Sequence, residues 1–574
     1  SPKDSLSIHQ PLRRNVRQAT TFRRIALNLM PPPEMPEHSN QHMPSAVAYR
    51  RTHQGEGYPA NIIHQYIEEH GLPDAAGLST LATLTKLPES TLRSSLSYYA
   101  DYHADHSADH ADCSEPCTKI CNGTSCFLSN DSPPLASDSS RYASCLGHCH
   151  QENNYLLDNS IHSTGELSEV SIQCLASDAV TTRRCLNSDN TKPAASSYAG
   201  FHRALVCKPE DIIERIITSG LRGRGGAAFP TGKKWQACAS TSSDQRYIIA
   251  NGNEGDAGSY VDRTLLERDP HSIIEGMLIG AYAMGASKGV IYIRSEYPAA
   301  IGVIKRAIAE ARDAGHLQTG NFSCEISVVQ GAGSFVCGEE TALINAIEGL
   351  RGEVRLRPPY PTESGLFGKP TAVDNIETLC NIPFIIEHSA NQYKRMGTST
   401  SAGTKTLCFN HGFVRPGIVE VEFGTPLQTA IDAAGGSKSP LAAILLGGPM
   451  GCVIPPDQWD TPVCYEAMQA RGYDLGHGSI IALPKSADKA ALLRHWLSFM
   501  ADESCGKCEP CSLGSKRSCQ IINEPWNADS QKQLNDLLHL IGQTSLCAFG
   551  REIPRAVSQY LDIFHDEIFT PKSS

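Results

Sequence analysis

The sequence lacks any apolar run close to the roughly 20 residues that a membrane-spanning helix needs. Its longest apolar stretch, near residues 276–280, is interrupted by glycine. The chain also has no excess of positive charge, because 50 Lys and Arg stand against 61 Asp and Glu, for a net charge of −11. We therefore expect no direct membrane span and no nucleic acid among its principal partners.

The first residues of the sequence lack the apolar core of a secretion signal. The 21 cysteines form tight groups and scattered singles, whereas disulfide frameworks belong mostly to short secreted chains. The chain also shows no internal repeat. The cysteine pattern predicts metal-binding thiols in a reducing, cytoplasmic setting.

The N-terminal third of the 574 residues divides into three regions by composition and periodicity. Residues 1–55 are rich in Pro, Arg, His and Ser and predict a basic extended arm, with a targeting remnant or a disordered tail as alternatives. Residues 56–175 begin with helical patterns and continue into a segment rich in Cys and His. The polar residues 176–199 predict a linker.

The remaining residues predict three further domains, so the fold class is multidomain α/β. Strand and helix patterns alternate over residues 200–402, which indicates an α/β layer structure with a largely parallel sheet. Residues 403–486 are rich in strand patterns punctuated by glycine and predict a small α+β domain. Residues 487–574 return to helical periodicity.

A cysteine quartet lies in the predicted helical region. Cys505, Cys508 and Cys511 are spaced by two residues, and Cys547 follows after a helical stretch. Four thiolates that converge on one small site select zinc or an iron–sulfur cluster. The spacing alone leaves both metals open.

A glycine-rich loop at residues 220–235 is the second strong signal. Its closely spaced glycines allow backbone N–H groups to approach an anion, and Arg224 and Lys234 add positive charge, so a bound phosphate is expected. The loop matches neither a P-loop nor the usual dinucleotide fingerprint. Four further motifs follow it, at residues 251–258, 331–341, 355–361 and 373–378, and the first of these comes directly after a predicted strand, where ligand sites form in α/β proteins.

Taken in this order, the five motifs and the cysteine quartet resemble the NADH-binding flavoprotein subunits of respiratory complex I. The chain is similar also to the diaphorase subunits of NAD-linked hydrogenases and of NAD-dependent formate dehydrogenases, from about residue 200 to residue 565. The resemblance implies a Rossmann-like domain for FMN and NADH and a small β-grasp-like, soluble-ligand-binding domain. It also implies a C-terminal helical bundle that holds a [4Fe–4S] cluster on Cys505, Cys508, Cys511 and Cys547.

The resemblance also implies roles for individual residues. One set holds the FMN phosphate and ribityl chain: Gly223, Arg224, Gly225, Gly226 and Lys234. A second set contacts the flavin: Asn251, Asn253, Glu254, Gly338, Asn375 and Thr378. A third set serves the nucleotide, with Phe229 and Tyr360 beside the adenine and Glu339 and Glu340 ordering it, and Phe335 and Arg357 complete the cofactor-binding residues.

Some details are open to another interpretation. Glu339 and Glu340 could instead cap a helix N-terminus, where the helix dipole favours negative charge. The hydride step needs no protein acid or base, so no catalytic side chain is expected, and Glu254 is the nearest candidate. Asn253, Asp256, Asp374 and Arg357 depart from the residues that the family commonly has at these positions, which affects fine contacts rather than the class.

A second group of cysteines lies near the N-terminus. Cys121, Cys126, Cys145 and Cys149 form a C-x4-C and a C-x3-C pair. Together with the preceding helices they resemble the thioredoxin-like [2Fe–2S] subunit that partners the flavoprotein, here in abbreviated form, and a clusterless domain is the alternative. Two further thiols, Cys113 and Cys117, have no assigned role. The histidines at 103, 106 and 110 have helical spacing and are interpreted as a solvated face rather than metal ligands.

The resemblance implies a diaphorase, in which hydride passes between NAD(H) and FMN and single electrons pass to iron–sulfur clusters. No nickel, molybdopterin or quinone site is recognisable, so we expect one subunit of a hetero-oligomer, with iron–sulfur subunits and a catalytic subunit of formate dehydrogenase or [NiFe] hydrogenase type as partners. A subunit of a complex I-like or electron-bifurcating enzyme is the alternative. A non-redox scaffold that has lost its flavin is the alternative from another class.

Overall fold

The structure is a computed structural model. It describes residues 57–102, 118–129, 141–157, 159–165, 167–187 and 198–569. The predicted arm (1–55), the three histidines at 103–110, and Cys113 and Cys117 lie outside these residues. None of the described helices is both long and apolar enough to cross a membrane.

The described chain begins with three helices: α1 (Pro59–His70), α2 (Ala75–Thr85) and α3 (Glu89–Leu96). The Asp74 side chain caps α2 by accepting a hydrogen bond from the Gly77 N–H at 2.8 Å. The side chain of Asn61 donates to the carbonyl of Val328 at 2.9 Å, and the Tyr99 hydroxyl donates to the carbonyl of Leu350 at 2.6 Å. These two bonds join the first helices to the region of residues 200–402. The sequence had predicted that the same helices belong to a domain over residues 56–175.

A small four-stranded sheet carries the N-terminal cysteines. Its elements are β1 (Lys119–Cys121), the short helix α4 (Thr124–Phe127), β2 (Arg141–Ala143), β3 (Asn154–Leu157) and β4 (Ser160–Ser163). The strand order is β2-β1-β3-β4. β1 and β2 are parallel, whereas β3 is antiparallel to both of its neighbours.

The region predicted as a linker at 176–199 departs from that prediction over residues 176–187. Strand β5 (Ser171–Cys174) and helix α5 (Thr182–Asn187) flank a turn that is buried over residues 179–181. The buried Glu420 carboxylate accepts hydrogen bonds from the backbone N–H groups of Val180 and Thr182. This carboxylate fixes a segment whose polar composition, read alone, indicates a flexible connection.

The central domain is an α/β layer, as the alternating pattern predicts. Its sheet consists of β6 (Tyr247–Gly252), β7 (Lys288–Ile293), β10 (Glu325–Gln330) and β11 (Thr371–Asn375). The four strands are all parallel and lie in the order β10-β7-β6-β11. A two-stranded hairpin, β8 (Gln318–Thr319) and β9 (Phe322–Ser323), precedes β10. The side chains of Ile248, Ile249 and Val290 are fully buried, as expected for a parallel sheet covered by helices.

The helices of this domain are named in chain order: α6 (Ala199–Leu205), α7 (Pro209–Ser219), α8 (Thr231–Ser240), α9 (Val261–Arg268), α10 (Pro270–Met284), α11 (Pro298–Asp313), α12 (Glu340–Ile347), α13 (Pro361–Ser364), α14 (Ile376–Glu387) and α15 (Ala390–Arg395). Helix α10 packs closely on the sheet and on α14. A Cβ atom at Gly276 would lie 2.3 Å from the Leu379 carbonyl oxygen, so only glycine permits this approach.

The third domain is a six-stranded mixed sheet. It contains β12 (Thr404–Phe409), β13 (Gly417–Glu422), helix α16 (Leu427–Ala433), β14 (Leu441–Leu446), β15 (Cys452–Ile454), helix α17 (Tyr465–Ala470) and β16 (Ser479–Pro484). The order is β15-β14-β16-β12-β13-β5. The edge strand β5 pairs in parallel with β13, so a strand from before residue 200 completes this sheet.

The chain ends in four helices: α18 (Lys489–Asp502), α19 (Glu509–Asn523), α20 (Ala528–Thr544) and α21 (Ala548–Phe569). Their apolar faces form one core, in which the rings of Trp496 and Tyr560 lie 5.1 Å apart between centroids. The helical prediction for residues 487–574 therefore agrees with the described residues. The bundle places the starts of α19 and α21 together, since a Cβ at Gly550 would lie 3.1 Å from the Cys511 Cβ.

Candidate functional site

Several predicted loops meet at the carboxyl ends of β6 and β11, the edge where parallel sheets bind ligands. The side chain of Asn251, on β6, donates to the Gly338 carbonyl at 2.9 Å. The Asn253 side chain donates to the carbonyl of Phe335 at 3.1 Å. The structure thus brings together two motifs that lie more than 80 residues apart in the sequence.

The glycine-rich loop joins this group through close backbone approach. A Cβ at Gly225 would lie 3.1 Å from the Asn375 Cβ, and one at Gly338 would lie 3.4 Å from the Asn253 Nδ2. Gly226 has a φ of +109°, which strongly favours glycine. Glycine at 225 and 338 thus lets the Asn375 and Asn253 side chains lie close to the backbone, and the four motifs together line one cradle.

Lys234 supplies the positive charge of the cradle. Its Nζ lies 3.0 Å from the Asp374 Oδ1, and its side chain is 17% exposed whereas that of Asp374 is 1% exposed. Burial alone would disfavour the ammonium, but Asp374 and Glu340 raise the pKa of Lys234 above its usual value. The side chain is therefore a cation at neutral pH with part of its surface open, as a phosphate ligand requires.

Arg224 lies in the loop but its side chain points into the fold. The fully buried guanidinium donates to the backbone carbonyls of Thr404, Ala402 and Arg222 at 3.0, 2.9 and 2.7 Å, and to the Tyr393 hydroxyl at 2.7 Å. All of these bonds go to protein, and they tie the loop to the third domain. Its backbone N–H donates to the Thr378 hydroxyl at 2.8 Å, so both the backbone and the side chain of Arg224 hold the loop in place, and a contact with the phosphate stays a prediction.

Glu254 is likewise enclosed by protein groups. Its carboxylate accepts hydrogen bonds from the Ser259 hydroxyl at 2.7 Å, the Tyr297 hydroxyl at 2.9 Å and the Asp262 N–H at 3.0 Å. Burial, together with nearby Asp262, raises its pKa. The carboxylate therefore orders the turn after β6 and the start of α9, and a direct contact with flavin stays a prediction.

The two consecutive glutamates that were predicted to order the nucleotide begin α12. Glu339 caps this helix by accepting from the N–H groups of Thr341 and Ala342, each at 2.9 Å. Arg357 forms ion pairs with both glutamates, at 2.7 Å to the Glu340 carboxylate. The capping alternative thus describes Glu339, and the nucleotide role of both residues stays a prediction.

The predicted aromatic residues differ in exposure. Phe229 and Tyr360 are each 53% exposed, which leaves their faces open to a nucleotide. The Phe335 ring instead packs against Phe499 and Phe549 of the helical domain, at 5.1 and 6.1 Å between centroids. Phe335 therefore connects the flavin-site loops to the C-terminal domain.

The C-terminal cysteine quartet converges at helix starts. Cys508 caps α19, Cys511 lies in its first turn and Cys547 directly precedes α21. Burial raises the pKa of Cys511 to about 12, and the neighbouring Cys508, Cys547 and Cys505 add to this shift. Four thiols in electrostatic reach of one another fit a metal cluster that binds them as thiolates.

The N-terminal cysteines also come together. The Cys145 and Cys149 sulfurs lie 3.6 Å apart, and Cys121 makes hydrogen bonds to both Cys126 and Cys145. All four thiols are buried. Hydrogen bonds from Cys121 and Cys149 hold the pKa of Cys145 well below its usual value. This chain of thiols fits a second, smaller cluster.

Two residues, the half-buried Glu503 and the buried Arg294, link these sites and were missed in the sequence. Glu503 accepts a hydrogen bond from the Ser144 hydroxyl and another from the Phe335 N–H at 3.0 Å, so it touches both cysteine regions and a flavin-site loop. The guanidinium of Arg294 donates to the Cys145 carbonyl at 2.7 Å. The only signal for Glu503 was its position just before the cysteine triplet.

Comparison with known proteins places this geometry in a family. The family described as the Nuo51 FMN-binding domain matches residues 216–384, and the iron–sulfur binding region of NADH-ubiquinone oxidoreductase-F matches residues 491–570. The NADP-reducing hydrogenase subunit HndC of Solidesulfovibrio fructosivorans is 39% identical over 385 residues, 65% of this chain and 78% of that protein. An NADH-quinone oxidoreductase subunit of Aquifex aeolicus is 38% identical over 380 residues, 64% of this chain and 88% of that protein.

Other similar proteins extend the comparison. The alpha subunit of the NAD-reducing hydrogenase HoxS of Cupriavidus necator is 36% identical over a match that covers 64% of this chain and 62% of that subunit. A crystal structure of an NAD+-reducing [NiFe] hydrogenase in the air-oxidised state has a TM-score of 0.76 and 25% identity, covering 89% of this chain and 93% of that chain. The H2-reduced state gives a TM-score of 0.78 at 24% identity, which shows the fold alone.

The fold and the matched families define an oxidoreductase subunit that binds FMN and a [4Fe–4S] cluster. The chain belongs to the family of NADH-oxidising FMN and [4Fe–4S] proteins that occur in complex I and in NAD-reducing hydrogenases. These matches confirm the predicted family, the NADH-oxidising activity, FMN and the [4Fe–4S] cluster, and they set aside the scaffold and zinc alternatives. The mixed α/β multidomain fold with a helical C-terminal region is confirmed as well.

Proposed function

We propose that the chain is the diaphorase subunit of a hetero-oligomeric, cytoplasmic NAD-reducing [NiFe] hydrogenase. The observation that supports this is the extent of the structural match: 89% of this chain and 93% of a chain from such a hydrogenase. The sequence match to the relatives covers only about 65% of this chain. The structural likeness therefore includes much of the N-terminal cysteine region. A formate dehydrogenase of the same build is the alternative.

The predicted cofactor residues have distinct tasks in this proposal. When bound, FMN accepts a hydride from NADH and passes electrons on singly. The Lys234 ammonium and the backbone of Gly225 and Gly226 would bind its phosphate, while the N–H groups of Gly223 and Arg224 shape the loop by donating to the Phe229 carbonyl and the Thr378 hydroxyl. The side chains of Asn251, Asn253, Asn375 and Thr378 order the flavin-site loops. The exposed rings of Phe229 and Tyr360 flank the adenine of the nucleotide. No side chain is needed to move a proton in the hydride step.

The N-terminal cysteines are proposed to hold a [2Fe–2S] cluster in an abbreviated thioredoxin-like domain. Support comes from the sulfur-to-sulfur contacts, which link the four thiols in the order Cys126, Cys121, Cys145 and Cys149. The parallel β1–β2 pair beside an antiparallel β3–β4 hairpin is compatible with such a domain. The sheet of β12–β16 is proposed to be the β-grasp-like domain.

Electrons are proposed to leave through the C-terminal cluster to iron–sulfur partner subunits. Cys508 is the least buried of its four ligands, and it marks the side of the cluster nearest to solvent. Glu503 would keep this cluster, the flavin site and the N-terminal cluster in a fixed relation, because it contacts all three regions. The N-terminal cluster would then be a side station or a second exit.

Purification of the native complex tests the partner assignment. Mass spectrometry of the copurified subunits should find a nickel-containing subunit, and the complex should reduce NAD+ with H2 but not with formate. A molybdenum or tungsten subunit with formate-dependent NAD+ reduction would overturn the hydrogenase assignment in favour of the alternative.

A further inference from the structure

A buried histidine lies behind the flavin-site loops and has no role in the reaction described above. His477, two residues before the start of β16, is fully buried, and its ring lies between two carboxylates. The Nε2 atom lies 3.3 Å from the Asp262 Oδ1, and the Nδ1 atom lies 3.8 Å from the Glu254 Oε1. Both carboxylates are themselves fully buried.

The charged groups around this ring come from several elements. Its backbone N–H donates to the Asp256 carboxylate at 2.8 Å, so three carboxylates of residues 254–262 face it. Lys405 of β12 adds a positive charge that opposes the charged ring, but Lys405 is itself paired with Glu377. Burial also opposes the charge, yet Asp262 and Glu254 together raise the pKa of His477 to about 9.

The geometry places the ring where a positive charge is favoured. Within the described part of the chain, the Asp262 Oδ1 and the His477 Nδ1 make no hydrogen bond. Burial of such atoms is unfavourable unless an opposite charge compensates it. Each ring nitrogen faces a different carboxylate, so a ring protonated on both nitrogens directs an N–H at each of them, and the Asn375 amide then donates to Asp262 alone.

The same cluster reaches the flavin site through one side chain. The other oxygen of Asp262, Oδ2, accepts a hydrogen bond from the Asn375 amide at 2.8 Å. That amide nitrogen also lies 3.3 Å from the His477 Nε2. On its other side Asn375 packs against Gly225 of the phosphate loop. Only one side chain thus separates the ring from the predicted FMN cradle.

We propose that His477 is a positioning residue of the flavin site: through Asp262 it fixes the Asn375 amide, and the ring, held between Glu254 and Asp262, offsets the negative charge of these carboxylates and so raises the reduction potential of bound FMN. This inference rests on the proposed FMN site at these loops. Offsetting buried negative charge beside a site that gains electrons stabilises the reduced form of the ligand. The cluster is buried, so salt screens this effect little.

The test is a redox titration of FMN in the purified complex between pH 6 and pH 10, for wild type and His477→Gln. The control is His316→Gln, since His316 is also buried but stacks on Tyr198, at 4.0 Å between ring centroids. We expect His477→Gln to lower the FMN midpoint potential at pH 7, so that the ratio of reduced to oxidised FMN at a fixed NADH/NAD+ ratio falls about tenfold. The difference should disappear above about pH 9, where the wild-type ring loses its proton.

The outcomes separate the inference from the proposed function. Equal potentials for wild type and His477→Gln at every pH, with FMN retained, would overturn the inference. Wild-type protein without FMN would instead overturn the proposed site. If His477→Gln does not fold, Asp262→Asn decides: it should move the bend in the potential-against-pH curve to lower pH, and an unmoved bend would refute the role of the ring.

Discussion

The two arginines of the glycine-rich loop offer a direct test of which side chain acts on the ligand and which on the fold. The resemblance assigns Arg224 to the FMN phosphate, but the structure encloses its guanidinium in protein. We therefore expect Arg224→Lys to destabilise the domain, and to weaken FMN binding only as a consequence. Lysine keeps the charge but presents its donors from a single point.

The size of the effect follows from the hydrogen bonds. Lysine cannot span the three carbonyls and the Tyr393 hydroxyl that the Arg224 guanidinium reaches, and it should lose at least two of these bonds. A hydrogen bond to a charged group contributes about 1.5–3 kcal/mol, so the loss is about 3–6 kcal/mol. In a domain of this size, each 1 kcal/mol lowers the melting temperature by about 2–4 °C. A fall of at least about 6 °C is expected.

The assay is thermal unfolding of the FMN-free protein, compared with FMN affinity measured by fluorescence. Arg222→Lys is the matched control in the same loop, because Arg222 is 25% exposed, pairs with Glu466 at 2.5 Å and makes one bond to a backbone carbonyl at 2.8 Å, that of Ala228. Lysine can keep the ion pair, which contributes about 1 kcal/mol or less, so the control should lose at most the Ala228 bond and melt closer to wild type than Arg224→Lys. An Arg224→Lys protein that melts like wild type but binds FMN poorly would refute the structural role and restore the phosphate contact.

Three further outcomes are expected. Cys508→Ser should leave reduction of the flavin by NADH intact and slow electron delivery to partners in stopped-flow traces; loss of flavin reduction with FMN bound would contradict the order of carriers. Cys145→Ser should remove one electron paramagnetic resonance signal and keep that of the [4Fe–4S] cluster, and retention of every signal would contradict a cluster there. Glu296→Gln should lower thermal stability at pH 7. Burial opposes the charge of Glu296, but Arg294 lowers its pKa to about 2, so the folded state binds this proton more weakly than the unfolded chain. The difference in melting temperature between wild type and variant should therefore be complete above about pH 4.5 and vanish toward pH 2, and a difference that does not change with pH would contradict the ion pair.

Much of the site could be predicted because its motifs are local. The cysteine spacing, the glycine-rich loop and the turn after β6 each carry their chemistry within a few residues, and strand alternation predicted the parallel sheet that brings the loops to one edge. The fold class and the family followed from the order of these motifs.

What could not be predicted depends on contacts between distant residues. The direction of the Arg224 side chain is set by carbonyls near residue 404, and the ordered segment at 176–187 is set by the Glu420 carboxylate. The enclosure of Glu254 depends on Tyr297, and the junction at Glu503 depends on Ser144. No local pattern reports such partners, because burial of a charged side chain becomes visible only when its hydrogen-bond donors are placed.

The most direct measurement for the central claim is an anaerobic NADH titration of the purified protein, followed in the visible spectrum. We expect a flavin absorption band that bleaches on addition of NADH, followed by loss of the broad iron–sulfur absorption as electrons reach the clusters. Protein that has no flavin band, or whose flavin band persists in excess NADH, would contradict an FMN-dependent oxidation of NADH by this chain.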